Sequence, residues 1–538
     1  MQVQPKIKDL LLAPELSAEA VKTLLSPYGF KEIKKADTNL QFIAKDPRDR
    51  VLFANILKAA LEAFSESPDP DLALNNFERF TQTAFSKTGL MSYLNESIPT
   101  LFRAAKIFGG SPFLSDVLIR NPEYFYWVFD NATLAKAKTK AALRKELRAA
   151  LNLSKNKARH LDLLRIFKRK EILRIGVRDL IQIASVQDTL REVSNLADIL
   201  IEQAHQICER ALQQKYGKPH TGKKPPNATP LSGFTIFALG KLGSRELNFS
   251  SDVDLIYLYD SRDGETIKSE GRTGIRNSEY YERLAREITA ALNTSTGEGY
   301  VYRVDLRLRP EGEAGLIAQT LEGYRRYYQN RAETWERMVL LRARPVSGDR
   351  QLGKAFLSSV APFIYEKPCA EKEFQDIWDF KEKIDALVAI RKQSFLDVKR
   401  GFGGIREIEF IVQTLQLQHG KTDLTLRGQG TMGLLKHLAG KSLLSPETAS
   451  DLNTAYLFLR NVENKLQMLN DHQTHLLPTD PTEIAALAVR LGYLETKEET
   501  AVEQLKQDYG LHAKKVHEAY TQLFNFKTTR YKEAAIKS

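Results

Sequence analysis

The chain has 538 residues and a mass of 61.0 kDa, a length that suggests about three or four domains. Hydrophobic residues make up 42% of the sequence and charged residues 27%, a globular balance that excludes wholesale disorder and collagen-like repeats. Lysine and arginine number 79 against 67 acidic residues, and the resulting charge of +12 favours anionic partners without choosing among them.

The cysteine count and the apolar runs bear on the compartment. The two cysteines, Cys208 and Cys369, are far apart and form neither a disulfide framework nor a cysteine-based zinc site. The N-terminus lacks the apolar core and cleavage site of a signal peptide, and no run of about 18 apolar residues occurs. These features predict a cytoplasmic protein.

Residues 1 to about 215 are predicted to be helical, because segments such as 51–64 repeat apolar residues three and four positions apart. The segment 135–178 is unusually basic. A nucleic-acid surface is one interpretation, but a solvated helix face is favoured because no aromatic residues interleave to stack on bases.

The pattern changes after residue 217. Four prolines and two glycines in the 14 residues 217–230 predict a linker or surface loop. Apolar runs then predict strands at 234–239, 253–259 and 300–308. A helix is predicted at about 278–292.

The pattern from about residue 351 onward is helical again. Its clearest feature is a stripe at helical spacing, which indicates packing rather than chemistry. The stripe consists of Leu452, Tyr456, Leu459, Val462, Leu466 and Leu469. We therefore predict a mostly helical α+β protein, with a helical region at 1–230, a small α/β core at 231–350 and a helical bundle at 351–538.

Two features of the core point to phosphate and metal chemistry. A glycine-containing turn through Gly240 and Gly243 follows the first strand, and Ser244 with the nearby backbone amides could meet a phosphate. Asp252 and Asp254 are two positions apart at the start of the next strand and so share a face. Their mutual repulsion would be relieved by Mg²⁺, which prefers oxygen ligands.

The third predicted strand adds another acidic side chain. Asp305 shares one face of that strand with Arg303, Arg307 and Arg309. This pattern is typical of a metal ligand among phosphate-binding cations. Taken singly, the Asp-x-Asp pair is more often a turn or a solvated edge, and Asp305 could form an exposed ion pair. The combination favours the functional interpretation.

These motifs resemble the polymerase-β-type nucleotidyltransferase superfamily, which has a glycine turn, an Asp-x-Asp strand and a later third carboxylate. Segments 240–255, 302–310 and 399–410 are similar to the signature of the glutamine synthetase adenylyltransferase/adenylyl-removing enzymes. Members of that family usually carry two such halves in tandem. This sequence has one Asp-x-Asp core, and the residues of its motifs are more similar to those of the adenylyl-removing half.

The resemblance implies a polymerase-β-like core and an enzyme that removes AMP from a tyrosine of glutamine synthetase by phosphorolysis, or adds it from ATP. It implies two Mg²⁺ ions, with Asp252 and Asp254 ligating both and Asp305 one. In the adding direction Asp305 could also help to deprotonate the tyrosine. Gly243 and Ser244 would cradle a phosphate of the nucleotide.

The resemblance further implies that Arg303, Arg307 or Arg309 neutralises transition-state charge, with ATP, or ADP and phosphate, as small substrates. Glutamine synthetase is the implied partner, and a PII-type signal protein is a further candidate. The alternatives are a nucleotidyltransferase for another substrate or a non-catalytic regulatory module.

The sequence allows two interpretations of Glu409 and two of the pair Glu336 and Arg337. Glu409 is either a buried ion-pair partner or a site residue. Glu336 and Arg337, beside Trp335, either form a structural salt bridge or line the nucleotide pocket.

Overall fold

Helices dominate the computed structural model, which describes residues 6–221, 229–230, 233–268, 273–366, 396–428 and 430–536. The mostly helical α+β class predicted from the sequence is confirmed. Helix α4, for example, begins at Pro47 after the cap Asp46, whose carboxylate accepts from the Arg48 N–H. Among the described residues, no helix is both long and apolar enough to cross a membrane.

The N-terminal helices follow one another with short connections. They are α1 Asp9–Leu12, α2 Ala18–Leu25, α3 Ile33–Ile43, α4 Pro47–Ser65, α5 Pro70–Thr83, α6 Lys87–Glu96, α7 Ile98–Gly110, α8 Pro112–Arg120, α9 Tyr124–Phe129, α10 Asn131–Ala135, α11 Lys140–Leu151, α12 Lys157–Leu180 and α13 Val186–Tyr216.

The remaining described helices lie among and after the strands. They are α14 Gly240–Gly243, α15 Asn277–Asn293, α16 Leu321–Asn330, α17 Thr334–Leu340, α18 Arg350–Ala361, α19 Ile405–His419, α20 Thr431–Gly440, α21 Pro446–Asn470, α22 Pro481–Leu491 and α23 Ala501–Ile536. Of the predicted apolar stripe, which lies on α21, Leu452, Tyr456, Leu459, Val462 and Leu466 are buried.

The strands form two small sheets. They are β1 Lys218–Thr221, β2 Thr229–Pro230, β3 Phe234–Ala238, β4 Val253–Tyr259, β5 Glu265–Ile267, β6 Thr273–Arg276, β7 Val304–Asp305, β8 Ala318–Thr320 and β9 Arg344–Gly348. One sheet has the order β2-β1-β5-β6. The other has the order β7-β4-β3-β9, with β8 also paired to β4.

The chain divides into two compact units, each built from separate segments. The first unit comprises Met1–Ala137, Arg169–Thr189 and Asn461–Gly510, and its described residues form helices and loops without a strand. An aromatic cluster fills its core, with Phe64 and Phe77 ring centroids 5.5 Å apart. The second unit comprises Lys138–Lys168, Leu190–Arg460 and Leu511–Ser538 and contains both sheets. The sequence-based division at residues 230 and 350 stays a prediction.

The sheet that carries the predicted site is built on β3 and β4, both of which the sequence predicts correctly. The two strands pair antiparallel, with Ala238 opposite Leu255. Helix α15, predicted at about 278–292, packs on one face, where the Tyr257 hydroxyl lies 2.9 Å from Thr289 Oγ1. Asp254 belongs to the opposite face of β4 because side chains alternate along a strand.

The prediction that 217–230 lacks strands is wrong for 218–221 and 229–230. These residues pair antiparallel as β1 and β2, and β1 also pairs with β5. Local composition missed this pairing because the partner β5 lies about 45 residues further along, and distant backbone pairing can override local propensity.

The predicted strand at 300–308 is likewise much shorter, since only Val304 and Asp305 pair with β4. A turn follows at once: the Arg307 N–H donates to Asp305 Oδ1 at 2.8 Å, and the Arg309 N–H donates to the Leu306 carbonyl at 3.1 Å. An aspartate that bonds the backbone two residues on is a typical turn former. The alternating face predicted for Arg303 to Arg309 therefore does not form.

The basic segment 135–178 is not a solvated helix face over its second half, contrary to the prediction. Arg165, Arg174 and Arg178 are all buried. Arg174 donates to Glu171 at 2.8 Å, and Arg178 donates to the Leu134 carbonyl. Internal carboxylates and carbonyls partner these cations, as buried charges require.

Candidate active site

The turn after β3 brings a glycine against the first carboxylate. The Leu239 N–H donates to the Asp254 carbonyl at 2.9 Å, which extends the β3–β4 pairing to the turn. Gly240 then has φ +52°, and a Cβ there would lie 2.3 Å from Asp254 Oδ2. Only glycine combines this left-handed conformation with so close an approach.

Asp254 and Asp305 stand side by side on neighbouring parallel strands. They are register partners in the β4–β7 pair. Burial, followed by the charge of Asp305, raises the pKa of the Asp254 carboxyl to about 6. A buried carboxylate beside a second one is an unfavourable arrangement that a divalent cation would relieve.

The carboxylates of Asp252 and Asp305 each accept hydrogen bonds from an arginine. Arg303 Nε donates to Asp252 Oδ1 at 2.6 Å, and Arg307 Nη2 donates to Asp305 Oδ2 at 2.6 Å. The hydrogen bonds from Arg307 keep the pKa of Asp305 below its ordinary value. The sequence predicted these arginines as phosphate-binding cations, and that role stays a prediction; the structure places each of them in an ion pair with a carboxylate.

A cavity of about 560 Å³ opens beside Asp254 and Asp305. Its wall combines acidic, basic and apolar side chains. The lining residues are Gly240, Asp254, Asp305, Arg307, Leu308, Trp335, Met338, Val339, Arg342, Lys399, Arg406, Glu409, Phe410 and Gln413. This mixture of a few polar groups with apolar surface is typical of a small-molecule site.

Helix α19 and the turn before it contribute two cations, Lys399 and Arg406, to the wall, and Arg342 adds a third from the segment before β9. Arg342 Nη1 lies 3.2 Å from Glu409 Oε1. Although burial favours the neutral acid, the charges of Arg342 and Lys399 lower the pKa of Glu409. Glu409 is thus both a buried ion-pair partner and a cavity residue, so the two interpretations of this position are compatible.

Four of the predicted phosphate-binding residues do not line this cavity: Gly243, Ser244, Arg303 and Arg309. The N–H groups of Gly243 and Ser244 donate to the carbonyls of Leu239 and Gly240, inside the turn of α14. The Ser244 hydroxyl is buried and makes no hydrogen bond to the described residues. Arg309 donates to carbonyls of its own turn, including that of Leu306 at 2.9 Å. Of the glycines in the turn, Gly240 is the one in the wall.

The segment around Trp335 is divided between cavity and core. Trp335 lines the cavity, whereas Glu336 accepts from the Glu333 N–H at 2.8 Å in a capping box. Arg337 is buried and donates to the Ile364 carbonyl. Among the described residues Glu336 and Arg337 form no salt bridge with each other and neither lines the cavity, so neither of the two alternatives for this pair is observed.

The side chains around Asp254 show whether this site fits a metal ion. Among the residues that the structure describes, no three acidic, histidine or cysteine side chains stand in a ligating arrangement. Asp252 and Asp305 face guanidinium groups instead. The identity of the donors still fits a hard divalent cation, because Asp254 combines burial with two neighbouring carboxylates whose charges raise its pKa.

The fit of Gly240 against Asp254 can be tested directly. Gly240→Ala is expected to reduce activity at least about tenfold, because its Cβ would displace the Asp254 carboxylate. Gly440→Ala, whose Cβ would meet nothing within 4 Å, is the matched control and should keep full activity. Wild-type turnover in the Gly240 variant would show that this contact does not position the carboxylate.

Comparison with known proteins assigns the class. A family model described as glutamate-ammonia ligase adenylyltransferase matches residues 101–359. A second, described as PII-uridylyltransferase, matches residues 379–524. Both descriptions name nucleotidyltransferases, the class that the sequence motifs indicate.

Curated relatives agree with the first of these models. A bifunctional glutamine synthetase adenylyltransferase/adenylyl-removing enzyme from Thioalkalivibrio sulfidiphilus is 32% identical over 481 residues, covering 89% of this chain and 47% of the relative. The enzyme of the same name from Hahella chejuensis is 36% identical over 75% of this chain and 41% of its own length. This chain belongs to the glutamine synthetase adenylyltransferase/adenylyl-removing family. It spans about half the length of the curated relatives that it matches.

Sequence reasoning missed the basic side of the cavity. Lys399 and Arg406 lie in the segment 399–410 that is similar to the family, but no role was predicted for them or for Arg342. Their signal in the sequence is weak because they lie about 90 to 150 residues after the Asp-x-Asp pair. The tertiary fold alone brings them to the carboxylates.

Proposed function

We propose that this chain is a Mg²⁺-dependent nucleotidyltransferase that removes AMP from a tyrosine of glutamine synthetase by phosphorolysis. The observation that carries the proposal is the cavity in which paired carboxylates, Asp254 and Asp305, face a basic wall. The names of the relatives support the choice of substrate. Adding AMP from ATP is the reverse use of the same groups and is the alternative outcome of the test.

The proposed reaction is an in-line displacement at phosphorus. An oxygen of inorganic phosphate forms a bond to the α-phosphorus while the bond from that phosphorus to the tyrosyl oxygen breaks. The tyrosyl oxygen takes up a proton, and the products are ADP and free tyrosine. No redox change occurs, so the protein must position reactants and balance negative charge.

The three predicted carboxylates and two of the predicted arginines have a role in this proposal. Asp254, Asp305 and Asp252 would hold Mg²⁺, which when bound neutralises phosphate charge and orients phosphate oxygens. Arg307 reaches the cavity and is placed to balance charge on the transferred group. Arg303 acts through Asp252, whose carboxylate it holds at 2.6 Å.

The residues of the two turns have a positioning role in the proposal. Gly243, a Cβ on which would lie 2.0 Å from the Arg342 carbonyl, would keep the turn close to the basic wall. Ser244 and Arg309 would act by holding their turns in place. Support comes from their hydrogen-bonding pattern, which is local to α14 and to the segment after β7.

Glutamine synthetase is the proposed protein partner, and the proposed compartment is the cytoplasm. A PII-type signal protein is proposed as a second partner. Support for the second partner is the match of residues 379–524 to a model whose description names PII.

The test follows the subunit mass of glutamine synthetase in the presence of the purified chain and Mg²⁺. Adenylylated synthetase is supplied with phosphate, and unmodified synthetase with ATP. We expect loss of AMP in the first mixture and appearance of ADP. The Asp252→Ala/Asp254→Ala double variant should lose this activity.

Gain of AMP on the unmodified synthetase would reverse the proposed direction. No mass change in either mixture would contradict glutamine synthetase as the substrate of this chain. Removal that persists in the double variant would contradict the proposed role of the carboxylates.

A further inference from the structure

One basic residue in the cavity wall is held in place by its backbone. The N–H of Lys399 donates to Asp397 Oδ1 at 2.9 Å, and the Arg400 N–H donates to the same oxygen at 2.8 Å. The Lys399 carbonyl in turn accepts from the Arg406 N–H, in the first turn of α19. Asp397 is itself buried. The backbone of Lys399 is therefore positioned from both sides.

Close packing holds the short connection between Lys399 and α19. Gly403 has φ +62°, and a Cβ there would lie 2.0 Å from the Ala513 carbonyl. A Cβ on Gly404 would lie 2.9 Å from the carbonyls of Gly401 and Val398. Two glycines at which a side chain has no room indicate a closely packed loop with a defined conformation.

The side chain of Lys399 enters the cavity beside the carboxylates. It lines the cavity together with Asp254 and Glu409, and its charge lowers the pKa of both. Two other cations of the wall already hold carboxylates directly: Arg307 pairs with Asp305, and Arg342 pairs with Glu409.

Lys399 differs from these two arginines in its bonding. Among the residues that the structure describes, its ammonium group makes no ion pair within 4.0 Å and no hydrogen bond. An ammonium group offers three donors on a flexible stem, which suits a tetrahedral oxyanion. A cation that is half-buried and without such a bond can accept an anionic ligand at little cost.

We propose that Lys399 binds the attacking inorganic phosphate, which becomes the β-phosphate of ADP when the bond to the α-phosphorus forms. This inference rests on the proposed function, because it assigns one reactant of that reaction to one side chain. The same contact would hold the β-phosphate of ADP after transfer. AMP, which lacks that group, would not use it.

The test compares ADP with AMP as probes, by isothermal titration of the full chain in Mg²⁺. Lys399→Met keeps the aliphatic stem and removes the charge. We expect this variant to bind ADP about 10- to 100-fold more weakly, as loss of a charge-assisted hydrogen bond implies, and to bind AMP as the wild type does. Lys436→Met, an exposed lysine on α20, is the matched control and should change neither affinity.

A purely structural role for Lys399 would give a different result. Equal weakening of ADP and AMP, or an unchanged ratio of the two affinities, would overturn the assignment. Lys399→Arg should restore most of the preference for ADP, because it restores the charge. If Lys399→Met does not give a cooperative melting transition, Lys399→Gln is measured by the same titration.

A kinetic arm separates this inference from the proposed function. With adenylylated glutamine synthetase, Lys399→Met should raise the KM for phosphate at least about tenfold and leave the KM for the synthetase unchanged. Absence of phosphorolysis in the wild type would contradict the proposed function. A wild type that is active, with an unchanged KM for phosphate in the variant, would contradict the role of Lys399 alone.

Discussion

Replacing Asp254 with asparagine is expected to lower nucleotidyl transfer at least about 1000-fold and, at the same time, to stabilise the fold. The loss of activity follows because Asp254 lines the cavity and lies beside Asp305 in the β4–β7 register. An amide is a poor ligand for Mg²⁺ and cannot balance its charge.

The gain in stability follows from the pKa. Burial and the charge of Asp305 raise the pKa of Asp254 from 3.8 to about 6, so the folded protein disfavours the ionised carboxylate. At neutral pH this costs about 2 to 3 kcal/mol of folding free energy, and asparagine removes the charge. The benefit should be full above about pH 6 and disappear below about pH 4, where both folded and unfolded chains hold the proton.

Melting curves between pH 4 and pH 8 without added metal would measure this effect. We expect Asp254→Asn to melt a few degrees above the wild type at pH 8 and at the same temperature near pH 4. Asp263→Asn, at an exposed loop aspartate, is the control and should give no pH-dependent difference. An Asp254→Asn variant that melts below the wild type at pH 8 would contradict the assigned cost of this carboxylate.

The strands that the sequence predicted correctly are those whose own residues determine them. β3 and β4 are apolar and buried at nearly every position, with Thr235 and Asp254 as the exceptions in composition, so their composition and length are sufficient evidence. β7 is different because its two residues form a strand only by pairing with β4. The aspartate at its end bonds to the Arg307 backbone and starts a turn, which no alternation pattern reveals.

The candidate site likewise contains residues that the local sequence places and residues that only long-range packing places. The positions of Asp252 and Asp254 could be predicted because Asp254 lies in β4 and Asp252 directly precedes it, and that of Gly240 because it lies two residues after β3. The opposite wall could not be predicted, since Lys399, in the turn before α19, and Glu409, within that helix, lie about 150 residues later. Their place near Asp254 depends on long-range packing, for which the sequence gives no local signal.

The loop between the glycine turn and Asp252 is anchored by a buried acidic residue, Glu246. The Tyr456 hydroxyl donates to Glu246 Oε2 at 2.8 Å, and Arg460 donates to the Glu246 backbone carbonyl. Burial raises the pKa of Glu246, and the charge of Arg460 opposes that rise. Both partners lie on α21, so this helix holds the loop that leads to the carboxylates.

Arg460→Met is therefore expected to destabilise the protein by about 3–5 kcal/mol, because it removes the cation with the larger effect on the buried Glu246 charge and its bond to the Glu246 carbonyl. The loss of stability should be smaller at pH 5 than at pH 8. The pKa of Glu246 is higher in the folded chain than in the unfolded chain, so lowering the pH protonates the folded state first and removes the buried charge. Urea unfolding at the two pH values would measure both effects.

A double-mutant cycle with Glu246→Gln would identify the cause. The glutamine keeps an acceptor for Tyr456 and has no charge, so by itself it should cost less than about 1.5 kcal/mol. In the Glu246→Gln/Arg460→Met double variant, part of the lost stability should return and the pH dependence should vanish. A strictly additive cycle would mean that Arg460 acts through the Glu246 backbone carbonyl, which the glutamine keeps, and not through the carboxylate charge.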